Sequence, residues 1–257
     1  MASLSGDRQL IAWAAGLYDG EGSCSAYLPR RRHTYRRQMA VSQGGDPGKP
    51  PLVLLGFKSA VGGIGNITGP YNGYLFYWKT TQIHALDEIA ATLWPFLGPE
   101  KRDQFLVASR LAGKAVGLDS TAPRETTDET ERAWAAGFFD GEGTISVGGS
   151  GAAYPAYRQP SLEIPQSSDH GVPDSLLRFQ SVVGCGSITG PQPPRNPWGR
   201  LPAYRWEVGG HRNVEAVAGL LWEWLGSVKR TQIDWALSLV HAGLLRGAHT
   251  SRVDRDA

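Results

Sequence analysis

An eleven-residue stretch that occurs twice constrains this chain more than any other feature, because an internal repeat fixes architecture before composition is weighed. Trp13-Ala-Ala-Gly-Leu-Tyr-Asp-Gly-Glu-Gly-Ser23 returns as Trp134-Ala-Ala-Gly-Phe-Phe-Asp-Gly-Glu-Gly-Thr144. Further blocks follow in the same order. Phe57-Lys-Ser-Ala-Val-Gly62 and Gly65-Asn-Ile-Thr-Gly-Pro70 return as Phe179-Gln-Ser-Val-Val-Gly184 and Gly186-Ser-Ile-Thr-Gly-Pro191. Leu93-Trp-Pro-Phe-Leu-Gly-Pro-Glu-Lys-Arg-Asp-Gln104 returns as Leu221-Trp-Glu-Trp-Leu-Gly-Ser-Val-Lys-Arg-Thr-Gln232. Each copy is of ordinary small-domain size, roughly a hundred residues. The expected organisation is a first repeat at 1–116, a linker at 117–128 and a second repeat at 129–257. The linker is polar, with no apolar period. Two equal halves on one chain predict a pseudo-dimer, a monomer that imitates the isologous contact of a homodimer.

Within each half the pattern reads helix, two strands, helix, two strands, helix. Ser5 is the expected cap of the first helix, and Thr127 or Asp128 of its copy. Strands follow from alternation: Cys24 and Ala26, like Ile145 and Val147, share one face, and Met39/Val41 and Leu162/Ile164 continue it. Helices are expected near Leu52–Val61 and Ser175–Val183. Strands around Ile67 and Ile188 should pair with Phe76/Trp78 and Tyr204/Trp206 across Gly/Pro-rich hairpins. Helical stretches close each half, near Ile83–Leu97 then Gln104–Leu111, and near Val214–Leu225 then Gln232–Leu245. The fold class is α+β: two four-stranded antiparallel sheets, each with helices on one face and the other face open and polar. The three repeated tryptophan pairs, Trp13/Trp134, Trp78/Trp206 and Trp94/Trp222, are expected in the core.

The repeated helix carries small residues, Ala12 and Gly16 in one copy, Ala133 and Gly137 in the other. Glycine inside a helix costs about 1 kcal/mol against alanine. Its recurrence therefore predicts a close backbone approach, most simply by the other copy of the same helix. At the helix ends stand Asp19 and Glu21, and Asp140 and Glu142. A helix C-terminus carries about −0.5 charge, so carboxylates there are disfavoured. Side-by-side packing would bring four of them together, and a divalent cation with oxygen ligands would relieve the repulsion. Gly20, Gly22, Gly141 and Gly143 leave room for backbone carbonyls and a bulky substrate. A single copy would read as a helix stop with solvated acids; two matched copies favour metal.

These two segments, Ala14–Gly22 and Ala135–Gly143, resemble the motif of the LAGLIDADG homing endonucleases in their single-chain, two-motif form. The resemblance covers nearly the whole chain. It implies an αββαββα fold per half, motif helices packed at the interface, and two sheets forming a saddle over DNA. It implies that Glu21 and Glu142 are the metal-binding catalytic carboxylates, with Gly20 and Gly141 contributing to the metal site. The cofactor it implies is Mg2+, with Mn2+ or Ca2+ able to occupy the same site. By the same resemblance Gln43 and Gln166 lie near the attacking water, and Lys101 and Lys229 beside the scissile phosphate. A lysine there would stabilise charge on the phosphoryl oxygens. The implied activity is hydrolysis of both strands of a long, non-palindromic double-stranded DNA target, as in intron homing.

The formal net charge is only +2, but residues 119–131 hold five acids and one base, which leaves +6 for the rest. That balance admits a polyanionic partner. Arg30-Arg-Arg-His-Thr-Tyr-Arg-Arg37 caps the first hairpin and reads as a phosphate and base-edge contact. Strand parity puts Ser25, Arg36 and Gln38 outward in the first half, and Gln159, Ser161 and Glu163 in the second. Tyr77 and Lys79 match Arg205 and Glu207 on the fourth strands. The DNA-contact set is thus Ser25, Arg30, Arg31, Arg32, Arg36, Gln38, Tyr77, Lys79, Arg158, Gln159, Ser161 and Arg205. The second hairpin, 148–158, is nearly uncharged apart from Arg158.

Six scattered histidines do not match between halves, which argues against a histidine-based nuclease or zinc centre. No block supports Ser/His/Asp catalysis. No apolar run approaches the ~18 residues of a membrane span, and no secretory signal is evident at the start. Two cysteines without metal-type spacing fit a reducing, intracellular setting. The competing reading is a cleavage-inactive nucleic-acid-binding protein on the same scaffold, an RNA-splicing maturase or a DNA-binding regulator. Such relatives typically lose an acid or the Gln/Lys set, and both sets are present. Intron RNA as a partner has no support in the residues.

Overall fold

α1 (Arg8–Glu21) starts at Asp7, whose carboxylate accepts from the Gln9 amide at 3.0 Å. The cap is therefore Asp7 rather than Ser5, which lies outside the described residues. The computed structural model describes residues 7–30, 33–148, 159–193 and 201–239. Among these no helix is long and apolar enough to cross a membrane. Packing divides the chain into two compact units, Met1–Glu142 and Gly143–Ala257.

In the first unit, α1 is followed by β1 (Gly22–Tyr27), β2 (Arg36–Gly44), α2 (Leu52–Ala60), β3 (Asn66–Tyr71), β4 (Leu75–Thr80), α3 (Ile83–Leu93) and α4 (Pro99–Leu111). The helix α5 (Asp128–Glu142) packs with this unit, against α1. Thr127 caps α5: its hydroxyl accepts from the Thr130 amide at 3.2 Å, and Thr130 accepts from the Thr127 amide at 2.9 Å. The four strands form an antiparallel sheet in the order β1-β2-β4-β3. Its register sets Cys24 opposite Met39, Val41 opposite Trp78, and Ile67 opposite Trp78. Along β4, Phe76, Trp78 and Thr80 are buried while Leu75, Tyr77 and Lys79 are half-buried, the period of two that a one-sided sheet requires. Trp78 meets Phe57 of α2 edge-on at 4.8 Å and donates its indole N–H to the Ile64 carbonyl at 2.8 Å. Gly65, at φ +84°, is the close approach that permits this: a Cβ there would stand 2.5 Å from the indole nitrogen.

One sequence expectation changes. Of the five hairpin arginines, Arg37 belongs to the core: it is 2% exposed and donates to Ser109 Oγ at 2.9 Å. It also pairs with Asp87 at 2.8 Å, and its guanidinium lies over the Phe105 ring. The alternation of β2 turns it inward beside Met39, so the start of this inner strand is pinned to α3 and α4. The linker is exposed but anchored. Trp94 donates to the Asp119 carbonyl at 2.8 Å, the Glu125 amide donates to the Pro95 carbonyl at 2.8 Å, and buried Arg102 donates to the Ser120 and Ala122 carbonyls.

The second unit contains β5 (Thr144–Gly148), β6 (Gln159–Ser167), α6 (Asp174–Val183), β7 (Ser187–Gln192), β8 (Ala203–Gly209), α7 (His211–Leu221) and α8 (residues 227–239). Its sheet order, β5-β6-β8-β7, repeats that of the first unit. So does its core: Trp206 meets Phe179 at 4.8 Å and donates to the Cys185 carbonyl at 3.0 Å. Each repeat closes with two helices: α4 and α8 each begin five residues before the expected Gln104 and Gln232, and residues 240–245 of the second expected stretch lie outside the described residues. Pro99 suits the first helical position because its missing N–H is unneeded there.

Candidate active site

The site is built on the contact between α1 and α5. A Cβ on Gly16 would stand 1.9 Å from the Trp134 carbonyl oxygen, and one on Gly137 would stand 1.9 Å from that of Trp13. Only hydrogen at both positions lets the backbones come so close. Ala12 and Ala133 are fully buried on the same helices. The indoles of these tryptophans cross the seam: Trp13 donates to Asp140 Oδ2 at 2.8 Å, and Trp134 to Asp19 Oδ2 at 2.7 Å.

Asp19 also accepts from the Gly98 amide, at 3.0 and 2.9 Å to its two oxygens. Gly98 is the N-cap of α4, so this carboxylate lies at the positive end of a second helix. The expectation that four acids converge is thereby corrected. Asp19 and Asp140 are 7% exposed and are used as acceptors across the seam. Hydrogen bonds to a charged group are worth about 1.5–3 kcal/mol each, more than the few tenths lost at the C-terminus of α1.

Glu21 and Glu142 remain at the end of the seam, each the last residue of its helix. Each lies over the glycine of the opposite motif. A Cβ on Gly20 would stand 2.7 Å from Glu142 Cγ, and one on Gly141 would stand 3.1 Å from Glu21 Cγ. Gln43, at the inner end of β2, donates its amide to Glu21 Oε1 at 2.9 Å and to the Gly141 carbonyl at 3.4 Å. Lys101, in the first turn of α4, donates to the Gly22 carbonyl at 2.8 Å, next to Glu21 in the chain. In the second unit Lys229 donates to the carbonyl of Gly143, the residue after Glu142. Gln166 is half-buried on β6 opposite Tyr204, the register that Gln43 holds opposite Phe76.

Among the described residues no three His, Cys, Asp or Glu side chains converge as a closed metal cage. Two carboxylates beside backbone carbonyls suit a different kind of site. Mg2+ keeps several waters and binds through one or two carboxylates completed by substrate phosphates. The donor set at Glu21, Glu142 and Gly141 fits that chemistry.

The outward faces of the two sheets differ. On the first, Gln38 donates to Ser25 Oγ at 3.3 Å, Lys79 Nζ lies 4.2 Å from the Tyr77 ring centroid, and Tyr71 packs edge-on against Tyr77. Arg30 and Arg36 are exposed. On the second, Ser146 and Ser161 are hydrogen-bonded at 2.8 Å, Gln159 is exposed, and Arg205 pairs with Glu163 at 3.2 Å. Arg31, Arg32 and Arg158 lie outside the described residues. The arginine beside each site lysine has a separate task. Arg102 and Arg230 sit over the rings of Trp94 and Trp222, and donate to the carbonyls of Trp94 and Glu223. The repeated spacing of eight residues between each tryptophan and its arginine was the available signal.

No protein-family model matches the chain, and no curated protein sequence does so significantly. Solved structures do. The LAGLIDADG meganuclease I-AabMI bound to uncleaved DNA is 16% identical, over 93% of this chain and 92% of that one, with a TM-score of 0.65. The LAGLIDADG homing endonuclease I-GzeII in complex with its DNA target is 16% identical, over 93% and 91%, with a TM-score of 0.64. I-SmaMI bound to uncleaved DNA in the presence of calcium ions is 15% identical, over 91% and 97%, with a TM-score of 0.58. What is shared at this identity is architecture: the chain has the two-repeat LAGLIDADG fold.

Proposed function

We propose that this chain is a divalent-metal-dependent endonuclease that cuts both strands of a long, non-palindromic double-stranded DNA site. The observation that carries the reading is the meeting of Glu21 and Glu142 across the glycine seam, with Gln43 bonded to both motifs and Lys101 at the next carbonyl. Glu21 and Glu142 would hold Mg2+, or Mn2+ or Ca2+ in its place, with the Gly20 and Gly141 segments alongside. When bound, the cation supplies Lewis-acid charge and lowers the pKa of a bound water.

The chain's own groups do the positioning. Gln43 has its amide N–H groups fixed on Glu21 and Gly141, which leaves its carbonyl oxygen to accept a hydrogen bond from the attacking water and so orient it. Lys101 spends one of its three N–H donors on Gly22 and turns the others to a non-bridging phosphate oxygen, where negative charge grows. Gln166 and Lys229 take the same parts for the second strand. The polar outer faces of the sheets read the bases. Their differing residues fit a non-palindromic site.

The test is cleavage by Glu21→Gln and Glu142→Gln. Each variant is expected to lower double-strand cutting by roughly a hundredfold or more while binding DNA. Chelation of divalent cations should do the same to the parent protein. Cutting of both strands at the parent rate by either variant would remove the assignment.

A further inference from the structure

The outer face of the second sheet carries a charge arrangement that the first lacks. Glu163 of β6 and Glu207 of β8 are direct cross-strand partners, and like charges so placed destabilise a sheet. Arg205, two residues before Glu207 on the same strand face, pairs with Glu163 at 3.2 Å. Arg205 is thus engaged by Glu163, and Glu207 is exposed. At the matched places in the first sheet stand Ala40 opposite Lys79, with Tyr77 in the place of Arg205. A lysine in one copy is therefore a glutamate in the other, at the same register.

On a surface that meets a polyanion, an excess carboxylate repels unless the nucleic acid offers it a donor. In the major groove such donors are the exocyclic amines, and glutamate accepts from cytosine N4. Guanine offers O6 and N7 to an arginine fork. Arg205 has five N–H donors, of which Glu163 engages one end. That ion pair holds the guanidinium in place before DNA arrives, reducing the ordering needed on binding.

We infer that Arg205 and Glu207 form a G·C-reading pair on the second sheet, Arg205 taking a guanine edge and Glu207 a cytosine N4, with Glu163 as the positioning residue for Arg205. The inference rests on the proposed DNA-cleaving function and adds the base composition of one part of its target. The first sheet, with Lys79 and Tyr77 at these places, reads its bases by other means.

The experiment is a binding selection from a randomised double-stranded DNA library, sequenced for the parent chain and for Glu207→Gln, Arg205→Ala, Glu163→Gln and Arg36→Ala. The parent should enrich a cytosine and a nearby guanine within one half of the site. Glu207→Gln should weaken the cytosine preference roughly tenfold, and Arg205→Ala the guanine preference by a similar factor. Glu163→Gln should weaken the guanine preference without touching the cytosine. Arg36→Ala should weaken binding to all sequences alike and still leave these two bases as selected by the parent, which separates a local effect from general loss of binding. An unchanged cytosine preference in Glu207→Gln, or a parent site without these bases, overturns the pair alone. Enrichment of no sequence by the parent overturns the DNA-cleaving reading and the pair with it.

Discussion

Asp19 and Glu21 are carboxylates two positions apart on one helix, yet their surroundings divide them completely. Asp19 is buried and bonded to Trp134 and to the first amide of α4, whereas Glu21 sits at the last helical position and is reached by Gln43. The repeat marked both acids equally, because recurrence reports that a residue is needed and is silent on why. The split between them comes from long-range contacts, Trp134 and Gly98, which no local pattern contains. Cys24 shows a burial effect that can be measured. Enclosure pushes its thiol up to about 12, against a smaller lowering by Arg37. The unfolded thiol titrates near 9.0, so the folded chain keeps a proton that the unfolded chain releases. Stability from this group is complete below about 9 and is lost as pH climbs toward about 12. Cys24 should therefore resist iodoacetamide at about pH 9 in the native state, with half-buried Cys185 alkylated first. Peptide mass spectrometry after timed labelling checks this; equal labelling of the two would contradict it.

At the scale of elements, the strands were the most legible because alternation is a local property. Met39, Val41, Trp78 and their copies Leu162, Ile164 and Trp206 all lie on the buried face. Arg37 escaped this reading because a charged residue in an arginine-rich tip looks like surface, although its parity already placed it with Met39. The boundaries of the closing helices were also blurred, since the apolar run through Trp94 and Phe96 continues past the end of α3 at Leu93. Glycine gives a sharp test, because two helical glycines should respond with opposite sign. Gly16→Ala thrusts a methyl into the Trp134 carbonyl, and such overpacking against backbone should cost about 1–3 kcal/mol or more. Gly219→Ala, on the exposed face of α7 with nothing within 4 Å, should gain about 0.5–1 kcal/mol from helix propensity. Denaturant unfolding of the two variants measures both; a loss at Gly219 or neutrality at Gly16 would refute the close-approach account.

For the whole molecule, the asymmetry of charge has a thermodynamic signature. The net charge of +2 hides Arg30, Arg36 and Lys79 on the first sheet and its hairpin. The described outward strand positions of the second carry one cation, Arg205, already paired with Glu163. Each phosphate contact removed lowers the slope of log K against log salt by about 0.9. Arg30→Ala with Arg36→Ala should flatten that slope by one to two such steps, whereas Arg205→Ala should alter it little and change base preference instead. Titrations between roughly 50 and 200 mM salt distinguish the two. The duplicated architecture was legible from the repeat itself, because copies that diverge on their surfaces must still bury the same face. What the surfaces recognise was less legible, since those are the positions that the repeat does not keep.

The glycine seam carries one more implication. With a backbone oxygen 1.9 Å from where a Cβ would stand at Gly16, and the same at Gly137, α1 and α5 have a single register. Sliding by one residue would shift the helices by about 1.5 Å and drive a side chain into the carbonyl. Glu21 lies five residues after Gly16, and Glu142 five after Gly137, so the spacing of the two carboxylates is gauged by the seam and not by either sheet. Under the proposed reaction, the offset between the two strand breaks is then a constant of the scaffold. Redesigning the sheet faces would move the address at which DNA is opened, while the length of the single-stranded ends stayed the same.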